Sequence, residues 1–446
     1  MRKWYTISWM KNWPKPSSWK AEKARSLTRA GEALVKDTSG TSCRTAVEAF
    51  LQRLGDREPT VRAFIDVQPE RLRREADCLD RISPDQRQSL FGMLVAVKEI
   101  FDVSGYRCSW GTEIHRDRIP HTDALAVRRL KAADALIAGT TVSTEYALAR
   151  TGPTTNPHDP GRTPGASSQG SAAAVGAGIT DVAIGSQTIG SVIRPAAYCG
   201  CIGFKPTWNL CSLSGAMPLS PALDHIGLIA RDPALVRRLL TVLTDRPVAP
   251  APVGKLRQLR PWFSDVIDPA MFDACNKATS LLSADYGQAE DLSLPDNIAS
   301  QEEQLLEIIL AAGMSRSHGA DFDRSGDLMS ERVAGLIVKG RDLNSTDLDQ
   351  ALSLRSQIAA QIDDLIGDDV LIMPATTGVA PLLSDGTGSR SPQRLWSLTG
   401  QPAITVPVSD HQGLPVGVQL IAARQHDDAL LTVAEQLYQA TAGPKD

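Results

Sequence analysis

The sequence predicts an α/β protein whose sheet contains parallel strands, and three consecutive segments carry this prediction. Residues 91–97, FGMLVAV, form a short apolar run after polar residues, which is typical of a buried strand. Ala124, Val127 and Leu130 then recur on one face of a predicted helix. Residues 135–139, ALIAG, form a second apolar run. Strand, helix and strand at this spacing indicate a βαβ unit and therefore a parallel or mixed sheet.

The other elements of the N-terminal half extend the same pattern. The region 41–80 is predicted to be helical, because apolar residues recur there at i, i+3, i+4 and i+7. Residues 151–171 are rich in Pro, Gly, Ser, Thr and Asn, and a loop of that length inside a domain is usually functional. Small apolar residues then predict a helix over 171–178 and a buried strand over 181–185.

The C-terminal half closes the predicted sheet. Residues 240–345 are more polar and less regularly patterned. The apolar spacing after them predicts an amphipathic helix that ends at Gly367. Three closing strands are predicted at residues 370–373, 403–406 and 416–420.

Composition and charge exclude several classes of protein. The apolar fraction is 42% and the charged fraction 22%, as in ordinary globular proteins. The net charge of -4 gives no overall basic field that would attract nucleic acid. No apolar run approaches the roughly 18 residues of a membrane span. The seven cysteines are scattered without a C-x-x-C pair, so we expect reduced thiols in a cytoplasmic protein rather than a zinc or redox motif.

The N-terminal 40 residues are predicted to be an arm outside the main domain, which we expect to span residues 41–446. Residues 1–25 hold seven basic residues, one acidic residue and four of the eight tryptophans. They lack the apolar stretch of a signal peptide. Two interpretations stay open: a surface that contacts a membrane or partner, and a poorly ordered leader or a start codon assigned too early.

Two loops rich in small residues and serine, residues 161–178 and 185–200, are the candidate site. The second loop has the glycine spacing of a phosphate-binding loop but lacks its lysine. Residues 166–170, ASSQG, come close to the G-x-S-x-G nucleophile motif of α/β-hydrolases. That motif also needs a later histidine, and four histidines follow in the chain: His225, His318, His411 and His426.

Two further mechanisms, metal-dependent hydrolysis and catalysis by a lysine base, can be weighed from the residue types. His115 and His121 lie six residues apart near acidic residues, without the spacing of a metal-binding helix, and we predict no metal site. Lys98 follows the apolar run 91–97, and burial there would lower the pKa of its amine and make it a base near pH 7. The alternative is a lysine at a strand end that points into water.

The chain resembles the amidase signature family in three motifs that occur in the family's order. They are VAVKEIFDVSG at residues 95–105, TTNPHDPGRTPGASSQGSAAAVGAG at 154–178 and GSQTIGSVIRPAAYCGCIGFKPT at 185–207. Residues 218–232 and 400–420 are also similar to later segments of that family. The resemblance implies a single large α/β domain, in which a mixed twisted sheet is sandwiched between layers of helices.

The resemblance also implies a catalytic triad of Ser, cis-Ser and Lys. On this sequence the nucleophile is Ser191, the bridging serine after a cis peptide bond is Ser167, and the base is Lys98. The oxyanion hole is expected at the backbone N–H groups of Thr188, Ile189, Gly190 and Ser191. Ser168 and Ser171 are expected to support these groups, and Ser171 could also reach Lys98.

This sequence departs from the family pattern in ways that bear on the substrate. Gln187 and Ile193 stand where many members carry Asp and Arg, whereas Arg194 follows Ser191 by three residues. This arrangement resembles the branch that includes malonamidase. Arg194 could therefore bind a substrate carboxylate or carbonyl, or it could be a structural residue held by backbone carbonyls. Pocket walls are expected from Trp110, Tyr146, Ile189 and the region 300–345.

The predicted function is hydrolysis of the C–N bond of a small-molecule amide, or of a carbamate or urea-like substrate, through an acyl-enzyme. No cofactor, metal, nucleic acid or membrane is expected to take part, and the protein is expected to be a monomer or homodimer. The alternative is the A-type component of an amidotransferase, which releases ammonia from glutamine. A non-catalytic relative that acts as a binding protein is a third possibility.

Overall fold

The described part of this computed structural model, residues 42–442, contains one mixed sheet of eleven strands and thirteen α-helices. The predicted arm, residues 1–40, lies outside the described residues. The strands are β1 (Phe64–Asp66), β2 (Leu94–Lys98), β3 (Leu136–Thr141), β4 (Val182–Gln187), β5 (Ile202–Lys205), β6 (His225–Ala230), β7 (Leu256–Arg260), β8 (Glu290–Ser293), β9 (Val370–Pro374), β10 (Ala403–His411) and β11 (Leu414–Ile421).

The helices connect and cover these strands. They are α1 (Cys43–Val61), α2 (Pro69–Leu79), α3 (Leu125–Ala132), α4 (Gln169–Gly176), α5 (Ile193–Tyr198), α6 (Pro233–Thr244), α7 (Pro269–Tyr286), α8 (Asp296–Ala299), α9 (Glu302–Ser325), α10 (Glu331–Asp342), α11 (Ser345–Ile366), α12 (Ser391–Thr399) and α13 (Asp427–Ala442). None of them combines the length and apolar character needed to cross a membrane.

The strand order is β1-β3-β2-β4-β6-β5-β10-β11-β9-β7-β8. Strand β2 runs parallel to both β3 and β4, and β7 runs parallel to both β8 and β9. The remaining neighbours are antiparallel. The predicted α/β class with a mixed sheet is therefore confirmed.

Helices cover both faces of the sheet, because alternate strand residues point to opposite sides. In β2, Val95 and Val97 join the larger of two hydrophobic cores and Ala96 joins the smaller one. The smaller core contains side chains of α1, α2 and α4. The larger core contains side chains of α3, α6, α7, α9 and the helices that follow them. The site described below lies at the edge of the sheet where β2 and β4 end.

Most predicted elements are present, with one clear correction. The region 41–80 is not continuously helical, because β1 separates α1 from α2 and pairs with β3. Arg62 adopts a left-handed conformation with φ 54° immediately before this strand and ends α1. The polar region 240–345 forms β7, β8 and four helices. The amphipathic helix that ends at Gly367 is confirmed as α11.

Candidate active site

Lys98 is the last residue of β2 and lies completely inside the protein. The neighbouring parallel strand β4 brings Ser186 to the same edge of the sheet, because parallel strands end side by side. The amine Nζ of Lys98 lies 2.8 Å from Ser167 Oγ, 2.9 Å from Ser186 Oγ and 3.2 Å from Ser168 Oγ. Three serine hydroxyls therefore surround one buried amine.

Burial lowers the pKa of Lys98 from 10.5 to about 7, while Glu99 and Asp224 raise it by a smaller amount. The cause is desolvation, since an ammonium loses its hydration when it leaves water. A fall of this size corresponds to about 5 kcal/mol against the charged form. The amine of Lys98 is consequently available as a base near neutral pH, and the alternative of a lysine that points into water is wrong.

Ser167 and Ser168 come directly before α4 and reach Lys98 from the long loop at residues 151–168. The peptide bond between Ala166 and Ser167 is cis, as the resemblance implies. Ser168 donates a hydrogen bond to the carbonyl oxygen of Ser186 at 3.1 Å and accepts one from the Ser186 N–H at 3.2 Å. Ser168 therefore fixes this loop against β4 and also contacts the lysine.

Ser171 does not reach Lys98, contrary to one of our expectations. Its hydroxyl lies 2.7 Å from Thr141 Oγ1 and donates to the carbonyl oxygen of Ile184 at 3.0 Å. One turn of helix separates Ser171 from Ser167, and this turn directs the Ser171 hydroxyl toward the middle of the sheet. The third hydroxyl at the amine is that of Ser186, which the sequence analysis missed. Its position directly after Gly185 in a serine-bearing motif was the only available signal.

Ser191 lies between β4 and α5 in the second serine loop and is half-buried. The side chain of Gln187 holds this loop, because its Oε1 accepts hydrogen bonds from the N–H groups of Val192 at 2.9 Å and Ile193 at 3.1 Å. Gln187 Nε2 donates to Ser397 Oγ at 3.0 Å. An uncharged amide thus holds the turn, at the position where many family members carry an acid.

The four backbone N–H groups from Thr188 to Ser191 have no hydrogen-bond acceptor within residues 42–442. Ile189 is not among the residues with positive φ. Unpaired N–H groups beside a serine are suited to an oxyanion, because they require an acceptor once water is excluded. This arrangement is compatible with the predicted oxyanion hole at these residues.

Small residues in the two loops let the chain segments approach closely. A Cβ atom at Gly185 would lie 2.7 Å from Ser168 Oγ, and one at Gly190 would lie 2.8 Å from Gln393 Oε1. Cβ atoms in proteins essentially never approach other heavy atoms so closely. The glycines therefore allow the serines of the two loops to meet at one lysine.

Ser167 and Ser191 line one cavity of about 220 Å³, which we call the inner cavity. Its lining residues are Ala147, Leu148, Ala149, Ala166, Ser167, Thr188, Ile189, Ser191, Arg194, Leu219, Arg332, Thr387, Gly388 and Arg390. In the described part of the chain, no hydrogen bond joins the two serine hydroxyls. Catalytic hydrogen bonds often shorten only when substrate binds, so the relay between these serines stays a prediction.

Arg194 is buried beside the inner cavity and is bound by backbone carbonyls. Its Nη2 donates to the Ala166 carbonyl oxygen at 2.8 Å, and its Nη1 donates to that of Gly388 at 2.7 Å. Burial lowers the pKa of Arg194 to about 10, so the guanidinium stays charged at neutral pH. Of the two roles considered for Arg194, the geometry favours the structural one.

Trp110 and Tyr146 do not line the inner cavity, so the predicted substrate contacts of these two residues find no support there. Tyr146 is buried and its hydroxyl donates to Asp321 Oδ2 at 3.0 Å. His115 Nε2 lies 2.7 Å from the same carboxylate oxygen, and the rings of Trp110 and His115 are 4.4 Å apart. These residues instead join the segment between β2 and α3 and the segment after β3 to Asp321 of α9, which sequence spacing cannot show.

Asp224 is a buried acid near the amine that the sequence analysis did not identify. It accepts hydrogen bonds from Thr188 Oγ1 at 2.6 Å and from the N–H groups of Leu219 and Ser220, each at 2.9 Å. Burial raises the pKa of Asp224, and Thr188 together with the two N–H groups lowers it. Asp224 therefore anchors the start of the loop that carries Ser191.

The histidine and metal alternatives find no support in this geometry. His225 Nδ1 lies 2.7 Å from the Leu223 carbonyl oxygen, and burial lowers the pKa of His225 well below its usual range. No histidine within residues 42–442 forms a hydrogen bond with Ser167, Ser168 or Ser191. His, Cys, Asp and Glu side chains of the same residues form no group of three that could hold a metal ion.

Comparison with known proteins finds similar sequences over most of the chain. A family model described as Amidase matches residues 45–431. The chain is 30% identical to the A component of the glutamyl-tRNA(Gln) amidotransferase of Thermus thermophilus, and the match covers 89% of this chain and 93% of that protein. It is also 30% identical to AtzE, a component of the 1-carboxybiuret hydrolase of a Pseudomonas species, over 89% of this chain and 95% of that protein.

Solved structures with the same fold include a crystal structure of an amidase, with a TM-score of 0.82 and 28% identity over 92% of this chain and 98% of that one. A structure of an s-triazine catabolic enzyme in a vestigial protein complex gives a TM-score of 0.82 and 29% identity, over 90% of this chain and 96% of that one.

Proposed function

The chain belongs to the Amidase family, and on that premise we propose that it hydrolyses an amide C–N bond through an acyl-enzyme formed on Ser191. The observation that carries this proposal is the buried amine of Lys98. It has a pKa of about 7 and lies 2.8 Å from the hydroxyl of Ser167, which shares the inner cavity with Ser191.

In the acylation step, Ser191 Oγ attacks the amide carbonyl carbon while its proton passes to Ser167, and the Ser167 proton passes to Lys98. The carbonyl oxygen becomes negative and accepts hydrogen bonds from backbone N–H groups between Thr188 and Ser191. As the C–N bond breaks, the proton held by Lys98 returns through Ser167 to the departing amine. The acyl group remains on Ser191 as an ester.

In the deacylation step, water attacks this ester and gives its proton to the same relay. The proton then moves from Lys98 through Ser167 to Ser191 Oγ, which leaves as the hydroxyl. The acid product departs and the site returns to its starting state. Lys98 alternates between base and acid, and no other side chain has to change charge.

The test is Ser191→Ala, with Ser356→Ala on the exposed face of α11 as a matched control. With an aryl amide as substrate, we expect the first variant to lose at least about 10³-fold in kcat and to form no acyl adduct by intact mass. The control variant should retain the wild-type kcat and should form the acyl adduct.

If Ser191→Ala turned over the amide at the parental rate, Ser191 would not be the nucleophile. A panel of anilides, carbamates and amino-acid amides then identifies the preferred bond.

A second candidate function is that of the A-type component of an amidotransferase, and the names of several relatives favour it. That function requires release of ammonia from glutamine and association with partner proteins. Glutaminase assays, together with size exclusion in the presence and absence of tRNA, distinguish it from a stand-alone amidase. The same size-exclusion measurement tests whether the free protein is a monomer or a homodimer, as we propose.

A further inference from the structure

Three arginines line the inner cavity, and no Asp or Glu is among its lining residues within 42–442. Arg194 comes from α5, Arg332 from the start of α10, and Arg390 from the N-cap position of α12. Three separate parts of the chain thus bring positive charge to the walls of the cavity that contains Ser191. The cavity is smaller than the roughly 300 Å³ of the smallest drug-sized pockets, so it suits a short substrate.

Arg194 is already occupied by protein atoms. Its two Nη groups donate to the carbonyl oxygens of Ala166 and Gly388. Arg194 therefore holds the loop that carries Arg390 against the loop that carries Ser167. Because its Nη groups already have acceptors, Arg194 is not the arginine that we expect to bind an anion.

Arg332 and Arg390 differ from Arg194, because within residues 42–442 neither side chain forms a hydrogen bond or an ion pair. Arg332 is exposed and Arg390 is half-buried. The neighbouring Arg394 shows the contrast, since it pairs with Glu302 at 2.9 Å and with Glu303 at 3.0 Å. We call Arg332 and Arg390 the arginine pair.

The surroundings of Arg390 destabilise its positive charge. Burial and then the charges of Arg332, Arg194 and Arg394 lower the pKa of Arg390 to about 10, and Glu303 opposes them. The guanidinium is still charged at neutral pH, so a half-buried cation faces other cations. A bound anion would relieve this repulsion and would accept planar, charge-assisted hydrogen bonds.

Acidic residues line the adjoining outer chamber, a cavity of about 410 Å³ that also contacts Arg332 and Arg390. There Glu303 is paired with Arg394, and Glu307 is paired with Lys339 at 2.7 Å. Glu331 also lines this chamber, whereas no glutamate or aspartate is among the lining residues of the inner cavity within 42–442. An anion is therefore favoured on the inner side of the arginine pair, close to Ser191.

We propose that the arginine pair binds a carboxylate on the substrate, so that the preferred substrates are short amides with a free carboxylate, such as the monoamide of a dicarboxylic acid. This inference rests on the proposed amidase function. The carboxylate is held by Arg332 and Arg390 while the amide carbonyl at the other end of the acyl chain meets Ser191. Arg332 and Arg390 take no part in proton transfer and set specificity only.

The experiment compares succinamate with succinamide, and glutaramate with glutaramide. Each pair has the same number of heavy atoms and differs in charge. We expect the wild-type protein to prefer the charged member of at least one pair by about tenfold or more in kcat/KM. Added salt should reduce this preference, because Arg332 is exposed and its charge is screened.

Arg332→Gln and Arg390→Gln should each raise KM for the charged amide by about tenfold, with kcat and the turnover of the neutral amide little changed. Arg390→Lys should restore part of the preference, because it keeps the charge without the planar fork. Arg74→Gln, on the exposed side of α2, is the matched control and should change nothing. Arg332→Gln keeps the test valid if the half-buried Arg390 variants fail to fold.

The proposal is overturned if the wild-type protein shows no preference for charge in either pair, including the case in which it hydrolyses none of the four compounds. It is also overturned if the Gln variants slow charged and neutral amides equally, since that result indicates a structural role. Failure of the proposed function is distinguishable, because it appears as undiminished amide hydrolysis by Ser191→Ala.

Discussion

Two groups of basic side chains lie beside the same cavity, and burial affects them in different ways. Lys98 and the hydroxyls of Ser167, Ser168 and Ser186 form the lysine site, where burial lowers the pKa of the amine to about 7. Arg390 of the arginine pair keeps its charge, because even its lowered pKa, about 10, is far above neutral pH. Burial thus makes a base from a lysine, whereas an arginine remains a fixed cation.

The two regions also differ in the number of hydrogen-bond partners that their charged or basic groups have within the protein. The amine of Lys98 has three hydroxyl partners and is sealed from solvent. Arg332 and Arg390 have no such partners among the described residues. A buried group with a full set of hydrogen-bond partners suits proton transfer, because its position stays the same from one turnover to the next. A charged group without a partner suits recognition, because its interactions are completed by the substrate.

The largest effect is expected from Lys98→Met, compared with Lys205→Met. Both lysines are fully buried and burial lowers both pKa values to about 7, but Lys205 Nζ donates to the carbonyl oxygens of Pro206 and Gln401. Lys98→Met should reduce kcat/KM by about 10³-fold or more. Lys205→Met should cost about 1–3 kcal/mol of unfolding free energy and leave the activity of folded molecules within about threefold.

Steady-state kinetics combined with chemical denaturation measure both quantities. An equal loss of activity in folded Lys205→Met would show that loss of any buried lysine disables the site, and it would contradict the assignment of Lys98 as the base.

The next largest effect is on the pH dependence of kcat/KM with a neutral aryl amide. The pKa of Lys98 is lowered to about 7, so the amine is neutral above this pH and gains a proton as the pH falls through it. Since only the neutral amine can accept a proton, kcat/KM should fall by about tenfold per pH unit below pH 7. Arginine does not titrate in this range. A rate that stays constant down to pH 5 would contradict the assignment of Lys98 as the base.

The smallest effect is expected from Arg194→Gln, which separates a structural arginine from the arginine pair. Loss of the hydrogen bonds to the Ala166 and Gly388 carbonyls should cost about 2–4 kcal/mol of unfolding free energy. It should lower kcat for charged and neutral amides alike, by about tenfold, through misplacement of Ser167. Thermal unfolding and the succinamate-to-succinamide ratio of kcat/KM measure the two effects. A collapse of that ratio would mean that Arg194 binds the carboxylate.

The three proposed catalytic residues could be predicted from the sequence, because each lies in a short segment with a clear local pattern. Lys98 ends an apolar strand, and Ser167 and Ser191 stand in loops of small residues that directly precede helices. These local patterns predicted the strand and the helix after Ser167 but not the short helix after Ser191, and the family resemblance that the same segments carry implied that the three side chains lie near one another. Ser186 was missed because a serine in a Gly-Ser-rich stretch has no distinguishing pattern.

The substrate side could not be predicted in the same way. Trp110 and Tyr146 were chosen as aromatic residues near the motifs, but they belong to a cluster with His115, His318 and Asp321. Arg332 and Arg390 lie far from the motifs in the chain and have no periodic neighbours that would mark them. Such side chains acquire their positions from the packing of α10 and α12 near the inner cavity.

The α/β class, the buried lysine and the two serine loops could all be read from the order of the amino acids, because strand periodicity, apolar runs and small-residue turns are properties of adjacent residues. The folded domain was needed to show that Arg194 is bound by carbonyls and that Arg332 and Arg390 are left unpaired beside Ser191. Whether a charged group has a partner depends on distances between segments that are separated in the sequence. These distances follow from the packing of the whole domain.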